Sequence, residues 1–312
     1  MNSSKMVAKL FVKAGINKVH RPIVKFFILS VFGGFFVGLS SGLSSLCQYN
    51  LIEGYSQFYK GMVFPIGIII VYCGGGELIT GNCLLTVAFF SGKITILEML
   101  LSWLIVLVGN FIGCLLVSLL VVYSHIPNMF NVNMAKIIID TGNAKCGANF
   151  GEAFILALLA NYCNCLGLWV AMIGKDMKSV ILALFIPNFL LMALDLNHLV
   201  ADMYYIFAGL FTCYEYGLDL TEMSWGKLFY KSIIPELLGS FVGGGILVGV
   251  IYWYIFLFKE PDEINANKKT INFRENVNEK ETVNKDVLME KNADFSSLKM
   301  INNNNNKNLN LN

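Results

Sequence analysis

Charged side chains are scarce in this chain. Asp, Glu, Lys and Arg make up 14% of the 312 residues, whereas 56% are hydrophobic and the mean hydropathy is +0.62. Soluble globular proteins carry about 25% charged and roughly 45–50% apolar residues. The shortage of charge excludes an ordinary soluble protein, and the small net charge of +2 gives no reason to expect a nucleic-acid partner.

The chain also lacks a cysteine framework. Its eight cysteines fall mostly in or beside apolar runs, where Cys behaves as a small hydrophobic residue. Cys163 and Cys165 are spaced wrongly to bind one metal ion from a helix, and no other ligand cluster accompanies them. Cys47 and Cys146 could share one side of a membrane, but we do not expect a disulfide between them. We predict no bound metal and no cofactor.

Long hydrophobic runs are plentiful instead. A helix needs about 20 apolar residues to cross a bilayer. Six such runs occur, and the first lacks the small-residue cleavage site of a signal peptide. The sequence therefore predicts an all-α membrane protein with six transmembrane helices. The runs cover residues 26–47, 61–91, 96–123, 151–173, 179–213 and 230–258.

The two ends of the chain differ from this central domain (26–258). Residues 1–25 hold six Lys and Arg and no acid, and residues 1–20 predict a basic amphipathic helix on the inner membrane surface. Residues 259–312 form an Asn- and Lys-rich tail whose composition predicts disorder. Because Lys and Arg concentrate at both ends, the positive-inside rule predicts cytoplasmic termini. We expect a multi-pass protein of the plasma membrane.

An unusual polar stretch interrupts the fifth run. Asp195, His198 and Asp202 occur where hydrocarbon is expected, and on a continuous helix they would share one face. An ionisable group at membrane depth marks a functional pathway by default. The alternative, a buried polar cluster that only holds helices together, stays open.

The second run is interrupted as well. Residues 74–82 contain four glycines, Glu77 and Thr80 within an otherwise apolar segment. The second and fifth runs are the middle members of two triplets, which must cross the membrane in opposite directions. Paired interruptions in corresponding positions point to a transport site at the midplane of an inverted 3+3 repeat. We therefore predict that helices 2 and 5 are broken.

Four motifs in order make the chain similar to a known family. They are GGELITGN (75–82), LAN (159–161), NHLVAD (197–202) and GSFVG (239–243). Together they resemble the formate–nitrite transporter family over about residues 22–258. The resemblance implies an aquaporin-like bundle, a homopentamer with one pore in each protomer, and small monovalent anions such as formate, nitrite, hydrosulfide, acetate or lactate. Within the family, the chain resembles protozoan members that carry formate and lactate together with protons.

The resemblance also assigns residues to a substrate pathway. His198 matches the central histidine, Thr80 the threonine that faces it, and Lys145 the lysine of the outer vestibule. The chain departs from the family pattern with Asn197 for Glu, Asp202 for Asn and Ser240 for Asn, and with Gly147 and Ala148 in place of two histidines that often follow the vestibule lysine. An acid at Asp202, four residues from His198, could favour a charged imidazole. The pathway set is His198, Thr80, Lys145, Asn161, Asn197, Asp202 and Ser240, and the apolar constrictions are assigned to Phe64, Ile68, Ile79 and Leu191.

These residues predict a mechanism. Lys145 attracts an anion, the falling dielectric raises its proton affinity, and the neutral acid crosses the apolar constrictions beside His198. We predict transport of short monocarboxylates coupled to protons; the alternative is an anion channel without proton coupling. A water or glycerol channel is disfavoured because no Asn-Pro-Ala sequence occurs. An enzyme with a metal on the polar stretch is disfavoured because no second ligand cluster or nucleophile motif accompanies it.

Overall fold

The structure is a computed structural model that describes residues 2–130, 133–220 and 222–258. Within these ranges the chain is helical and has no strand. The all-α prediction is therefore confirmed for the described part. The predicted tail, residues 259–312, lies outside the described residues.

Twelve helices of the described chain are numbered in chain order. The last is one long helix that contains wide π-helical turns at Leu228–Ile233 and Phe241–Val250. The helices are α1 (Ser4–Val19), α2 (Ile23–Leu46), α3 (Glu53–Val63), α4 (Pro65–Gly74), α5 (Ile79–Asn82), α6 (Leu85–Phe90), α7 (Ile96–Tyr123), α8 (Asn133–Gly147), α9 (Phe150–Ile173), α10 (Met177–Ala193), α11 (Leu199–Tyr216) and α12 (Trp225–Phe256).

Five of the described helical segments are long and apolar enough to cross a membrane: α2, the α3–α4 segment from Gly54 to Gly74, α7, α9 and α12. The predicted fifth span is divided into two shorter helices, α10 and α11. The predicted second span, 61–91, is divided between the α3–α4 segment and a short apolar segment, Ile79–Phe90, that contains α5 and α6. The chain is thus an integral, multi-pass membrane protein. The third predicted span, 96–123, coincides with α7, whose start is fixed by a reciprocal cap between Thr95 and Glu98.

Glycines allow the longest helices to touch backbone to backbone. A Cβ on Gly34 of α2 would clash with the backbone of Asn110 on α7, and one on Gly243 of α12 would clash with the carbonyl of Leu158 on α9. Small residues allow such close approach in membrane helices. The same kind of contact therefore joins α2 to α7 and α9 to α12, the first and third members of each predicted triplet.

The amphipathic helix predicted for residues 1–20 is α1. Ser3 caps it by accepting a hydrogen bond from the Met6 N–H at 3.3 Å. Its apolar face packs on α6, α9 and the end of α12, where the ring of Phe11 stacks on Trp169 at 5.1 Å between centroids. Its apolar side is therefore covered by the protein's own helices; the contact of its basic side with a membrane surface stays a prediction.

All eight cysteines are free. Cys146 is buried on α8, and Cys47 is half-buried at the end of α2. The pairing considered from the sequence is therefore not formed.

Candidate functional site

Two of the predicted spans, the second and the fifth, are each interrupted near their middle by residues that are not helical. Gly75 ends α4 with a φ of 78°, and α5 begins at Ile79. Asp195, with a φ of 53°, lies between the end of α10 and the start of α11. Asp195, His198 and Asp202 therefore do not share one face of a continuous helix.

His198 lies at the N-terminus of α11 and is 1% exposed. Its Nδ1 accepts a long hydrogen bond, 3.4 Å, from the N–H of Ala201. A neutral ring that accepts at Nδ1 carries its hydrogen on Nε2. Nε2 has no partner among the described residues, so His198 presents an unused N–H inside the bundle.

Thr80 lies on α5, which contacts α11. It is 1% exposed, and its Oγ1 also has no protein partner. Its carbonyl is held from α9, because Nδ2 of Asn161 donates to Thr80 O at 3.1 Å and to Ser240 O at 2.7 Å. Asn161 thus joins α5 to α12, and the structure brings Ser240 to the same brace through its backbone.

Apolar side chains surround this pair of unused donors. The rings of Phe64 and His198 are 5.5 Å apart between centroids, at an angle of 66°. The four residues assigned to constrictions are all buried in one hydrophobic cluster, with exposures of 0–2%. These are Phe64, Ile68, Ile79 and Leu191.

A cluster of charged side chains lies at the interruption of the fifth span, between α10 and α11. This is the second interruption; the first is the break between α4 and α5. Lys145 on α8 donates to Asn197 Oδ1 at 3.0 Å and lies 3.8 Å from Asp202 Oδ1. Burial opposes its charge, but the surrounding carboxylates, chiefly those of Asp202 and Asp195, raise the pKa of Lys145 above its ordinary value. Lys145 therefore stays an ammonium group at neutral pH.

Lys60 is the second cation of this cluster. It is 4% exposed, and its Nζ lies 3.2 Å from Asp195 Oδ1. The sequence alone assigns Lys60 no role in the pathway, because an isolated Lys beside an aromatic run gives no sign of its burial on α3. Two ammonium groups thus converge on the second interruption.

Asp202 faces this cluster rather than the histidine. Both of its oxygens are buried without a hydrogen bond, and Lys145 lies within ion-pair distance. The His198 ring meanwhile bonds toward Ala201. In the described residues, therefore, no contact between Asp202 and the His198 ring supports the expectation that Asp202 sets the charge of His198 directly.

The first interruption has a matching carboxylate. Glu77 is 3% exposed and accepts from Lys18 at 2.6 Å and from Arg21 at 3.0 Å. Lys18 also donates to Asn82 Oδ1 at 2.6 Å. Each interruption therefore carries one acid held by two cations, Glu77 at one and Asp195 at the other.

Besides Lys60, two buried polar positions were missed in the sequence. Asn110 on α7 donates to Ser30 O and Glu77 O at 2.7 and 2.8 Å and accepts from Ile79 N at 2.9 Å. Glu236 on α12 is fully buried near Asp202. An amide and an acid within apolar runs were the available signals, since such groups need internal partners.

A cavity of about 130 Å³ lies beneath the first interruption. It is bordered by Phe11 and Lys18 of α1, by Glu77 and Asn82, and by Asn164 of α9. Its walls are mainly apolar with a few polar groups, as is usual for small-molecule sites. No group of three or more His, Cys, Asp or Glu residues arranged to hold a metal occurs in the described chain.

Comparisons with known proteins agree with this arrangement. A family model described as formate/nitrite transporter matches residues 5–254. An uncharacterized transporter, YrhG, of Bacillus subtilis is 30% identical over 259 residues, 81% of this chain and 93% of that protein. The formate channel BtFdhC of Bacillus thuringiensis is 29% identical over 251 residues, 79% and 93% of the two chains. A solved pentameric formate channel with formate bound shares the fold, with a TM-score of 0.67 at 22% identity over 75% of this chain and 98% of that one.

Proposed function

Because this chain belongs to the formate/nitrite transporter family, we propose that it moves formate, lactate and similar weak-acid anions across a membrane together with protons. Acetate and nitrite fit the same size and charge. A family of transporters is not an enzyme family, and the residues around His198 bind and orient a permeant in this proposal. They break no covalent bond of it.

The proposed architecture is an aquaporin-like inverted repeat of three plus three spans with interrupted second and fifth helices. Two relations of symmetry support it. The α2–α7 and α9–α12 pairs are both packed through glycine, and the two interruptions each hold an acid between two cations. An inverted repeat with interrupted helices forms its substrate site where the two halves meet. We propose a homopentamer in the plasma membrane with both termini cytoplasmic.

One observation carries the proposed pathway: His198 Nε2 and Thr80 Oγ1 are buried donors with no protein partner, on two contacting helices. A buried polar group left unsatisfied costs about 1–3 kcal/mol. A small carboxylic acid or carboxylate between them would accept from both. The apolar cluster around them disfavours a bare anion, because moving a charge into such surroundings is far more costly than moving a neutral acid.

The two lysines supply the first step. The ammonium groups of Lys145 and Lys60 offer charged hydrogen-bond donors to an anion at the second interruption. As the anion leaves water, its conjugate acid becomes favoured, because desolvation penalises the charged form. The neutral acid then passes Phe64 and exchanges hydrogen bonds with His198 and Thr80. On the far side it returns to water and releases its proton.

The second candidate is an anion channel that carries charge without protons. The name of a relative favours it, since BtFdhC is described as a formate channel. In that case His198 would hold a charged anion, and each passage would move one negative charge. Substrate-dependent current in a planar bilayer is the discriminating sign.

The experiment that tests the proposal is uptake of labelled formate and lactate by proteoliposomes, with and without an inward proton gradient. Coupled transport accelerates in the gradient and is indifferent to membrane potential. Uptake that is the same with and without the gradient contradicts the proposal. Vesicles containing Gly226→Ala, a change at an open position at the start of α12, serve as the matched control.

A further inference from the structure

We propose that Asp202 and Glu236 form a proton-binding pair that holds one proton beside Lys145 and transfers it to the entering anion. The inference rests on the proposed proton-coupled transport and names its proton site. In the described chain no hydrogen bond or ion pair joins either acid to the His198 ring, so we treat this site as distinct from the central pair of donors. The two acids come from different helices, α11 and α12.

The two carboxyl groups are buried, and most of their oxygens lack a hydrogen-bond partner in the described chain. Both side chains are 0% exposed. Glu236 Oε1 accepts from Ser232 Oγ at 2.7 Å, but Glu236 Oε2 and both oxygens of Asp202 have no hydrogen-bond partner. The two carboxyl groups lie within interaction range of each other. Two carboxylates cannot donate to one another, whereas an acid and a carboxylate can, so one proton supplies the missing hydrogen bond.

The charges around the pair also indicate that it holds one proton. The charged groups that act most strongly on Asp202 lie on other elements: Lys145 on α8, Lys60 on α3, Asp195 in the interruption and Glu236 on α12. On α11 itself, His198 turns toward Ala201, and the Tyr205 hydroxyl is buried without a partner. Three carboxylates therefore face two ammonium groups. One proton removes the excess negative charge.

The distribution of distances identifies which acids share it. Asp195 lies 3.2 Å from Lys60 and 3.7 Å from Lys145, so it is the better paired carboxylate. Asp202 has Lys145 alone, at 3.8 Å. For Glu236, no Lys or Arg nitrogen of the described chain lies within 4 Å. The excess charge thus falls on Asp202 and Glu236, and like charges at close range favour retention of one proton between them.

A second, independent feature opens the pair toward a permeant. Asn197 is 3% exposed; its Oδ1 accepts from Lys145, and its Nδ2 has no protein partner. An anion drawn to Lys145 can accept from that amide, and because Lys145 Nζ lies 3.8 Å from Asp202 Oδ1, the anion would bind beside the acid pair. The step balances: the pair gives its proton to the anion, becomes two carboxylates, and releases a neutral acid. The pair regains a proton from water at the lysine entrance.

The test uses Glu236→Gln in the full chain, because the amide keeps the size and removes the excess charge. Infrared difference spectra of the purified protein, recorded on raising the pH, report the C=O band of a buried carboxylic acid without any transport. We expect the band in wild type, its loss in Glu236→Gln, and its retention in Glu236→Asp and in the loop variant Glu222→Gln. A band that persists in Glu236→Gln, or that is absent from wild type, overturns the proposal.

Transport separates this inference from the function on which it rests. In proteoliposomes we expect gradient-driven formate uptake by Glu236→Gln to be about 100-fold slower, the lower end of what a positioned acid contributes, with Glu236→Asp restoring most of it. Wild-type uptake indifferent to the gradient overturns the proposed function. Wild-type uptake that follows the gradient, with an identical response in Glu236→Gln, overturns only the acid pair. Elution as one symmetrical species in detergent verifies that each variant is folded.

Discussion

The side chain of Asn110 on α7 donates to the carbonyl of Glu77 at 2.8 Å and so fixes the first interruption of the helices to an unbroken one. The same side chain accepts from the Ile79 N–H and donates to Ser30 O. Backbone that leaves a helix at membrane depth is tolerated only where its amide groups are satisfied by protein or water. The Asn110 side chain meets that need, because its amide nitrogen donates to two backbone carbonyls and its amide oxygen accepts from one backbone N–H.

Asn110→Ala should therefore destabilise the protein strongly. Three buried backbone groups lose their partner, at a cost of about 1–3 kcal/mol for each one left unsatisfied. We expect a clear fall in the midpoint of thermal unfolding in detergent and loss of formate uptake. Asn133→Ala, at an exposed asparagine that only bonds to the nearby Phe130 carbonyl, is the control and should change neither. Equal behaviour of the two variants would remove Asn110 from the architecture.

Much of the helical framework could be predicted from the sequence because its causes are local. The predicted third span coincides with α7, since an apolar run and a capping pair fix both its identity and its start. The resemblance to the family is confirmed by the family model. Small residues within apolar runs are a local cause as well, since Gly34 and Gly243 allow their helices to approach neighbouring backbones closely.

Other features could not be predicted because they depend on contacts between distant parts of the chain. Lys60 and Asp195 are 135 positions apart in sequence, and nothing local to either shows that they meet. The same holds for Glu236 and Asp202. A break in the fifth span was predicted, but not its position, which the positive φ of Asp195 sets between α10 and α11. Asp202 Oδ1 lies 3.8 Å from Lys145 Nζ, a contact between residues far apart in the chain that the sequence does not show.

Lys145→Gln should weaken anion capture. Removing the ammonium group deprives Asp202 of its cation and leaves carboxylates at the entrance, so we expect the KM for formate to rise about tenfold, equivalent to about 1.4 kcal/mol. Because the pKa of Lys145 is raised, its contribution is complete at neutral pH and is lost only as the pH rises through that raised value. The exposed Lys136 of the same helix gives the control variant Lys136→Gln. The account fails here if both variants shift KM equally.

Gly243→Val should disrupt the contact between α12 and α9. The added side chain meets the carbonyl and Cα of Leu158, and neither can move without shifting the helix. Overpacking of this kind costs about 1–3 kcal/mol or more. Thermal unfolding should begin at lower temperature, and the oligomeric species on size-exclusion chromatography should diminish. Gly226→Ala, on the same helix where nothing lies within 4 Å of the new Cβ, should leave both measurements unchanged.

Glu77→Gln should loosen α1. Two charge-assisted hydrogen bonds, from Lys18 and Arg21, tie the end of this helix to the first interruption. Their weakening should speed limited chymotrypsin cleavage near Phe11 about tenfold, which corresponds to about 1.4 kcal/mol of docking free energy. Glu222→Gln removes an exposed pair with Lys227 and should not alter that cleavage. Unchanged cleavage in Glu77→Gln would show that the packing of Phe11 on Trp169 holds α1 without the ion pairs.

The central claim is that a weak acid and its proton pass His198 together. The most direct measurement records formate uptake and internal acidification in the same proteoliposomes while an imposed potassium potential is varied, for wild type and for His198→Phe. We predict equal amounts of formate and protons entering, no dependence on the potential, and loss of both fluxes in His198→Phe. Formate entry that follows the potential without acidification, or an unimpaired His198→Phe, would contradict the account.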